Sequence, residues 1–92
     1  MICETAKAEL EAGTAIILDV RAPWEFMRGK VRGAINIPMQ EIPARHHEFL
    51  GKKSYVYCVS GNRSGQVANY LTSLGHDSVN VGGLAQHMGC IE

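Results

Sequence analysis

The chain carries no surplus of either charge, since nine basic residues are set against nine acidic ones in 92. Without a bulk field it has no electrostatic claim on nucleic acid or on an anionic membrane, and neither is expected as a partner. Long hydrophobic runs are also missing. Stretches such as Ala15-Ile16-Ile17-Leu18 fall far short of the roughly 20 residues that span a bilayer. Met1 is followed by neither a basic segment nor an apolar signal core. The expectation is a soluble protein of the cytoplasm, or of the periplasm where a signal peptide has been removed. Cysteine is scarce. Cys3, Cys58 and Cys90 are an odd number at wide spacing, which argues against a disulfide framework and for a reducing compartment. Metal-ligand clusters are lacking too, because His87 and Cys90 sit three apart with no second pair to complete a site.

What is present is enough apolar content, 46%, for one modest core, so residues 1–92 are read as a single domain. Glu4 to Glu11 has helix-forming composition and is closed by Gly13. Ala15 to Asp19 is a continuous apolar run ending in a charge, the pattern of a buried parallel strand. Pro23 starts a short helix through Met27, which Gly29 ends. Ala34 to Ile37 reads as a short strand stopped by Pro38. Pro43 opens a helical stretch through Leu50, in which His46 and His47 are expected on a solvated face. Ser54 to Cys58 is the next strand, Arg63 or Ser64 to Leu74 the next helix, and Ser78 to Val81 the last strand. Val67, Tyr70, Leu71 and Leu74 would form that helix's apolar face, and Gly75 would end it. Strands alternating with helices predict an α/β fold, a central mostly parallel sheet with helices on both faces. In such sheets ligands bind at the carboxyl ends of strands.

Cys58 lies at such an end. It is followed by the small, polar turn Val59-Ser60-Gly61-Asn62-Arg63-Ser64 and then directly by the helical pattern. Unpaired amides and the positive end of a helix dipole favour an anion there, so the thiolate gains over the thiol. Gly61 and Gly65 let the backbone turn tightly against a bound group. The residues alone leave two readings open: an activated nucleophile, or a buried structural cysteine packed as a small hydrophobe.

Separated motifs now bear on the choice. The run Leu18-Asp19-Val20-Arg21-Ala22-Pro23-Trp24-Glu25-Phe26, then Gly29, then Gly33-Ala34-Ile35-Asn36-Ile37-Pro38, resembles the signature of rhodanese-type sulfurtransferases. Cys58 to Ser64 resembles the active-site loop of that family, and Val81-Gly82-Gly83-Leu84 its closing double-glycine segment. Val56-Tyr57-Cys58 and Ser64-Gly65-Gln66 are similar to the small single-domain kind. The resemblance implies a rhodanese-like fold and a two-step transfer. Cys58 takes the sulfane sulfur of a donor such as thiosulfate, forms a persulfide, and passes the sulfur to cyanide, a thiol or a protein dithiol. It also implies that Val59, Ser60, Gly61, Asn62, Arg63 and Ser64 bind substrate, with their amides turned inward and Arg63 attracting the donor's sulfonate. No metal and no organic cofactor is required.

Two positions depart from the family. Lys30 stands where a histidine is frequent, and His87 where a tryptophan is frequent, a change expected to loosen the C-terminal packing. Asp19, Arg21 and Glu25 are read as structural ion-pairing groups, Trp24 and Phe26 as core or partial lid, and His76 as a turn residue. Two other classes remain in view. A cysteine-dependent phosphatase or arsenate reductase also sets cysteine and arginine on a strand-loop-helix cradle, but with five intervening residues, whereas Val59 to Asn62 are four. A non-catalytic binding module of the same fold often lacks the cysteine.

Overall fold

The structure is a computed structural model that describes residues 1–92. Its centre is a four-stranded sheet in the order β2-β1-β3-β4, all strands parallel. The strands are β1 (Ala15–Asp19), β2 (Ile35–Asn36), β3 (Lys53–Cys58) and β4 (Ser78–Gly83). As its continuous apolar run predicts, β1 is a buried parallel strand, and it lies beside β3 in the middle of the sheet, with Ile17 opposite Tyr55 and Leu18 opposite Val56. Alternate residues then serve opposite faces. Leu18, Val56 and Cys58 join one core with Phe49, Val67 and Leu71, while Ile17, Tyr55 and Tyr57 join the other with Ile2, Val31 and Cys90.

Helices cover both faces. The N-terminal helical segment is two short helices, α1 (Ile2–Thr5) and α2 (Lys7–Ala12), parted at the fully buried Ala6. Next come α3 (Pro23–Arg28) and α4 (Ile42–Arg45), the latter flanked by 3-10 turns over Met39–Glu41 and His46–Phe49. The longest, α5 (Asn62–Ser73), buries Ser64, Val67, Ala68 and Leu71. Tyr70 and Leu74, expected on that face, are instead exposed. The stripe is rotated toward the helix start because Ser64 must turn inward to Cys58. No helix is long and apolar enough to cross a membrane.

Several expectations are corrected where the chain ends meet. Cys3 and Cys90 form a disulfide across a separation of 87 residues, with their Cα atoms 5.9 Å apart. The termini converge because Ile91 bridges Val31 in antiparallel fashion and the Ile2 amide donates to His87 Nδ1 at 3.2 Å. The argument from cysteine count to a reducing compartment therefore fails, since it presumed no pair. Nor does His87 loosen the C-terminal segment. Its Nδ1 accepts from Ile2 and its Nε2 lies 2.8 Å from the Val81 carbonyl, which can only accept, so the neutral Nε2–H tautomer ties both ends to β4. His46 is half-buried, not solvated, with its Nδ1 2.9 Å from Nε2 of His76, whose ring packs against Phe49 and links the 3-10 turn to the loop after α5. Burial, then the neighbouring His46, pushes His76 below its ordinary pKa.

Candidate active site

Cys58 is the last residue of β3 and the only free cysteine, and it is wholly buried. The chain turns back over it through Gly61, whose φ of 96° lies in the left-handed region that a side chain disfavours. From there α5 begins at Asn62, one or two residues earlier than the pattern predicts. The turn brings the Gly61 amide 3.0 Å and the Ser64 amide 3.4 Å from Cys58 Sγ, with Ser64 Oγ at 3.3 Å. Burial alone would push the thiol up. Hydrogen bonds from the Ser64 hydroxyl and from the amides of Ser64, Gly61 and Ser60 outweigh it, and the net result is a thiol more acidic than usual.

Not every loop residue faces the sulfur. The Asn62 amide points to Ser60 Oγ at 3.4 Å, and the Val59 side chain is exposed while its carbonyl accepts from Leu84. Arg63 departs furthest from its expected role. Its guanidinium grips the Glu25 carboxylate through two bonds, Nη1 to Oε1 at 2.8 Å and Nη2 to Oε2 at 3.2 Å. Glu25 also accepts from the Ala22 amide at the start of α3. That arginine, before other influences, holds the Glu25 carboxyl down at about 2. The pair joins α3 to α5, so Glu25 is part of the rim that the sequence reading left as mere support. Lys30 packs against the same helix α3. Its ammonium lies 4.6 Å from the Phe26 ring centroid.

Asp19 and Arg21 underlie the same end of the sheet. They form a fully buried ion pair at 2.7 Å, with Tyr57 donating to Asp19 Oδ2 at 2.6 Å, Val31 donating to the Tyr57 oxygen at 3.0 Å, and Arg21 reaching the Gly29 carbonyl. Every buried side-chain polar atom is satisfied, so this network is structural support.

β4 closes the site from the other side. An irregularity in the β3–β4 register lets Val56 pair with Asn80 but Cys58 with Gly83. A side chain at Gly83 would collide with the backbone of Val59 and Ser60. The double glycine is therefore a close-approach device, holding β4 against the loop. Asn80, which sequence reasoning missed, bonds to Ser64, Gly61 and Gly82. Only its place directly before the Val81-Gly82-Gly83 motif hinted at it. The larger cavities, about 460 Å³ beside Lys53 and His76 and about 600 Å³ beside Cys3 and Arg32, include no loop residue.

A parallel α/β sheet that sets one free cysteine among backbone amides, between a strand's carboxyl end and a helix start, defines a strand-loop-helix class of cysteine sites. A family model described as Rhodanese-like domain matches residues 3–86, and the chain belongs to that family. Thiosulfate sulfurtransferase PspE of Escherichia coli (strain K12) is 39% identical over 71 residues, covering 73% of this chain and 68% of that protein. A protein named simply sulfurtransferase, from Allochromatium vinosum, is 37% identical over 65 residues, covering 70% of this chain and 61% of its own length. Among solved structures, one described as rhodanese with anions from E. coli superposes with a TM-score of 0.72 at 35% identity, over 77% of this chain and 88% of that one. Sulfur transfer is thus supported at the level of the family.

Proposed function

We propose that this protein is a thiosulfate sulfurtransferase that works through a persulfide on Cys58. The observation that carries the reading is the set of donors on Cys58 Sγ: two amides and a hydroxyl within 3.4 Å. Donors around one buried sulfur favour an anion there, and the two amides, fixed by the backbone, need no rearrangement as the charge forms. In the first step the Cys58 thiolate attacks the outer sulfur of thiosulfate. A new S–S bond forms, the donor's own S–S bond breaks, and sulfite leaves with the electron pair, so the anionic persulfide replaces the anionic thiolate. In the second step a nucleophile, cyanide or a thiolate, takes the outer sulfur, and the bonding pair returns to Cys58. The acceptor in the cell would be a thiol or a protein dithiol. Neither step moves a proton at the enzyme, so no general base is needed, and neither requires a metal or an organic cofactor.

Gly61 and Ser64 would stabilise the sulfur anion, Ser60 and Asn62 shape the turn, and Val59 forms the exposed lip. Arg63 would act on the donor as half of an ion pair with Glu25. The same pairing weakens the phosphatase reading, which needs an arginine fork free to clasp a phosphate over a wider loop.

Intact mass after incubation with thiosulfate should show one added sulfur, removed by cyanide or dithiothreitol and absent in Cys58→Ser. An unmodified mass, or sulfur added equally to the serine variant, would overturn the reading.

A further inference from the structure

The Ser64 hydroxyl has one proton and two acceptors within reach. Asn80 Oδ1 lies 2.7 Å from Ser64 Oγ, and Cys58 Sγ lies 3.3 Å from it. The orientation of the Asn80 amide is determined by its neighbours. Its Nδ2 donates to the Gly61 carbonyl at 3.1 Å, and its Oδ1 accepts the Gly82 amide at 3.0 Å. Flipping the amide would set donor against donor and acceptor against acceptor, so the oxygen must face Ser64. Ser64 is fully buried, so no water supplies a second partner for it.

We propose that Asn80 is a positioning residue for Cys58, holding the Ser64 hydroxyl proton while the sulfur is neutral and releasing it to the sulfur when the sulfur becomes an anion. This rests on the sulfur-transfer reading of the site. With Cys58 protonated, the shorter bond to Asn80 takes the hydroxyl proton, and Ser64 Oγ can accept from the thiol. Once the thiolate forms, a charged acceptor outbids a neutral amide, and the hydroxyl turns its proton to the sulfur, 3.3 Å from Ser64 Oγ. In the persulfide the charge moves to the outer sulfur, Cys58 Sγ becomes a weak acceptor, and the proton returns to Asn80. The amide thus tempers the thiolate, leaving it less stabilised and a better nucleophile than the cradle alone would make it. Each charged pair close to this end of the sheet, Arg63 with Glu25 and Arg21 with Asp19, is bonded without Asn80.

The test is a titration of the Cys58 thiolate, followed by ultraviolet absorbance and by the pH dependence of alkylation with iodoacetamide. Asn80→Ala frees the hydroxyl and should move the midpoint down by about half a pH unit to one unit. Its alkylation plateau at high pH should fall about twofold, because a less basic thiolate is a weaker nucleophile. Asn80→Asp keeps the acceptor, adds negative charge and should move the midpoint up. Ser64→Ala should abolish the effect of Asn80→Ala. A merely structural role would act equally with and without Ser64, and that result overturns the proposal. So does no shift at all. Should Asn80→Ala fail to fold, the near-isosteric Asn80→Asp still decides when it is titrated with and without Ser64→Ala, since a rise that is the same without the hydroxyl is charge repulsion alone and refutes the device, as does a fall or no change. The titration uses no sulfur donor. Expected midpoints with no persulfide would sink the transfer reading alone.

Discussion

Gly83→Ala isolates the close approach on which the candidate site depends. The Gly83 backbone is extended, with φ −101° and ψ 164°, a conformation that alanine adopts freely. The added methyl therefore acts through space and not through backbone strain. It would sit well inside 3.0 Å of the Val59 carbonyl oxygen, 3.1 Å from the carbonyl carbon and 3.2 Å from Ser60 Cα. All three are backbone atoms, so no rotamer change relieves the clash. The loop must retreat by about 1 Å to restore a carbon–oxygen separation of about 3.3 Å. That retreat also stretches the Leu84 amide's 3.2 Å bond to the Val59 carbonyl. Overpacking costs about 1–3 kcal/mol and the hydrogen bond about 1 kcal/mol, so the sum is about 2–4 kcal/mol. In a domain of this size each kcal/mol lowers Tm by about 4–8 °C, and calorimetry should show a fall of about 8 °C or more. The Gly61 amide, 3.0 Å from Cys58 Sγ, moves with the loop. A misplacement of about 1 Å costs about 100-fold in rate, so kcat/KM for thiosulfate should drop by about that factor at a temperature where the variant is folded. Gly13→Ala is the control, since it meets no atom within 4 Å and is strained only by its φ of 75°, away from the cradle. It should lose about 1 kcal/mol and keep transfer. A Gly83→Ala protein with unchanged Tm and unchanged transfer would refute the close-approach argument.

Arg63→Ala should raise KM for thiosulfate about tenfold, because it leaves the Glu25 carboxylate bare toward a dianionic donor. Adding Glu25→Gln should recover most of that loss in steady-state kinetics. A double variant as poor as the single would mean that Arg63 itself grips the donor. Cys3→Ala with Cys90→Ala removes a crosslink worth about 4.6 kcal/mol in the chain-entropy picture, so thermal unfolding should come earlier while persulfide forms on Cys58 as before. Lost transfer in the folded variant would implicate those thiols in the chemistry. The Glu25–Arg63 pair should also shape acid stability. Glu25 has a folded pKa near 2 against an ordinary 4.5, so its contribution is complete above about pH 4.5 and is lost as pH falls from there toward 2. In Glu25→Gln the urea midpoint should depend less steeply on pH in that window, and an unchanged slope would show that the pair adds nothing.

Local chemistry was enough to read the frame of this protein from the chain. Ala15–Asp19 is a buried parallel strand because an uninterrupted apolar run can be covered only on both faces, and the aromatic and β-branched residues Tyr55 to Tyr57 carry Lys53–Cys58 beside it. Cys58 announces itself because strand, glycine turn and helix follow one another within a few residues, and the thiol's surroundings are those same residues. The rest depends on partners that no short-range pattern connects. Arg63 meets Glu25 across 38 positions, and Cys3 meets Cys90 across 87. Periodicity finds an apolar face on α5 but not its rotation, which follows from Ser64 being drawn under the sulfur. Asn80 looks like any polar strand residue until the β3–β4 register sets it beside Ser64. These contacts are decided by how the parallel crossovers stack the elements, because each is a meeting of side chains brought together only when the sheet order is complete.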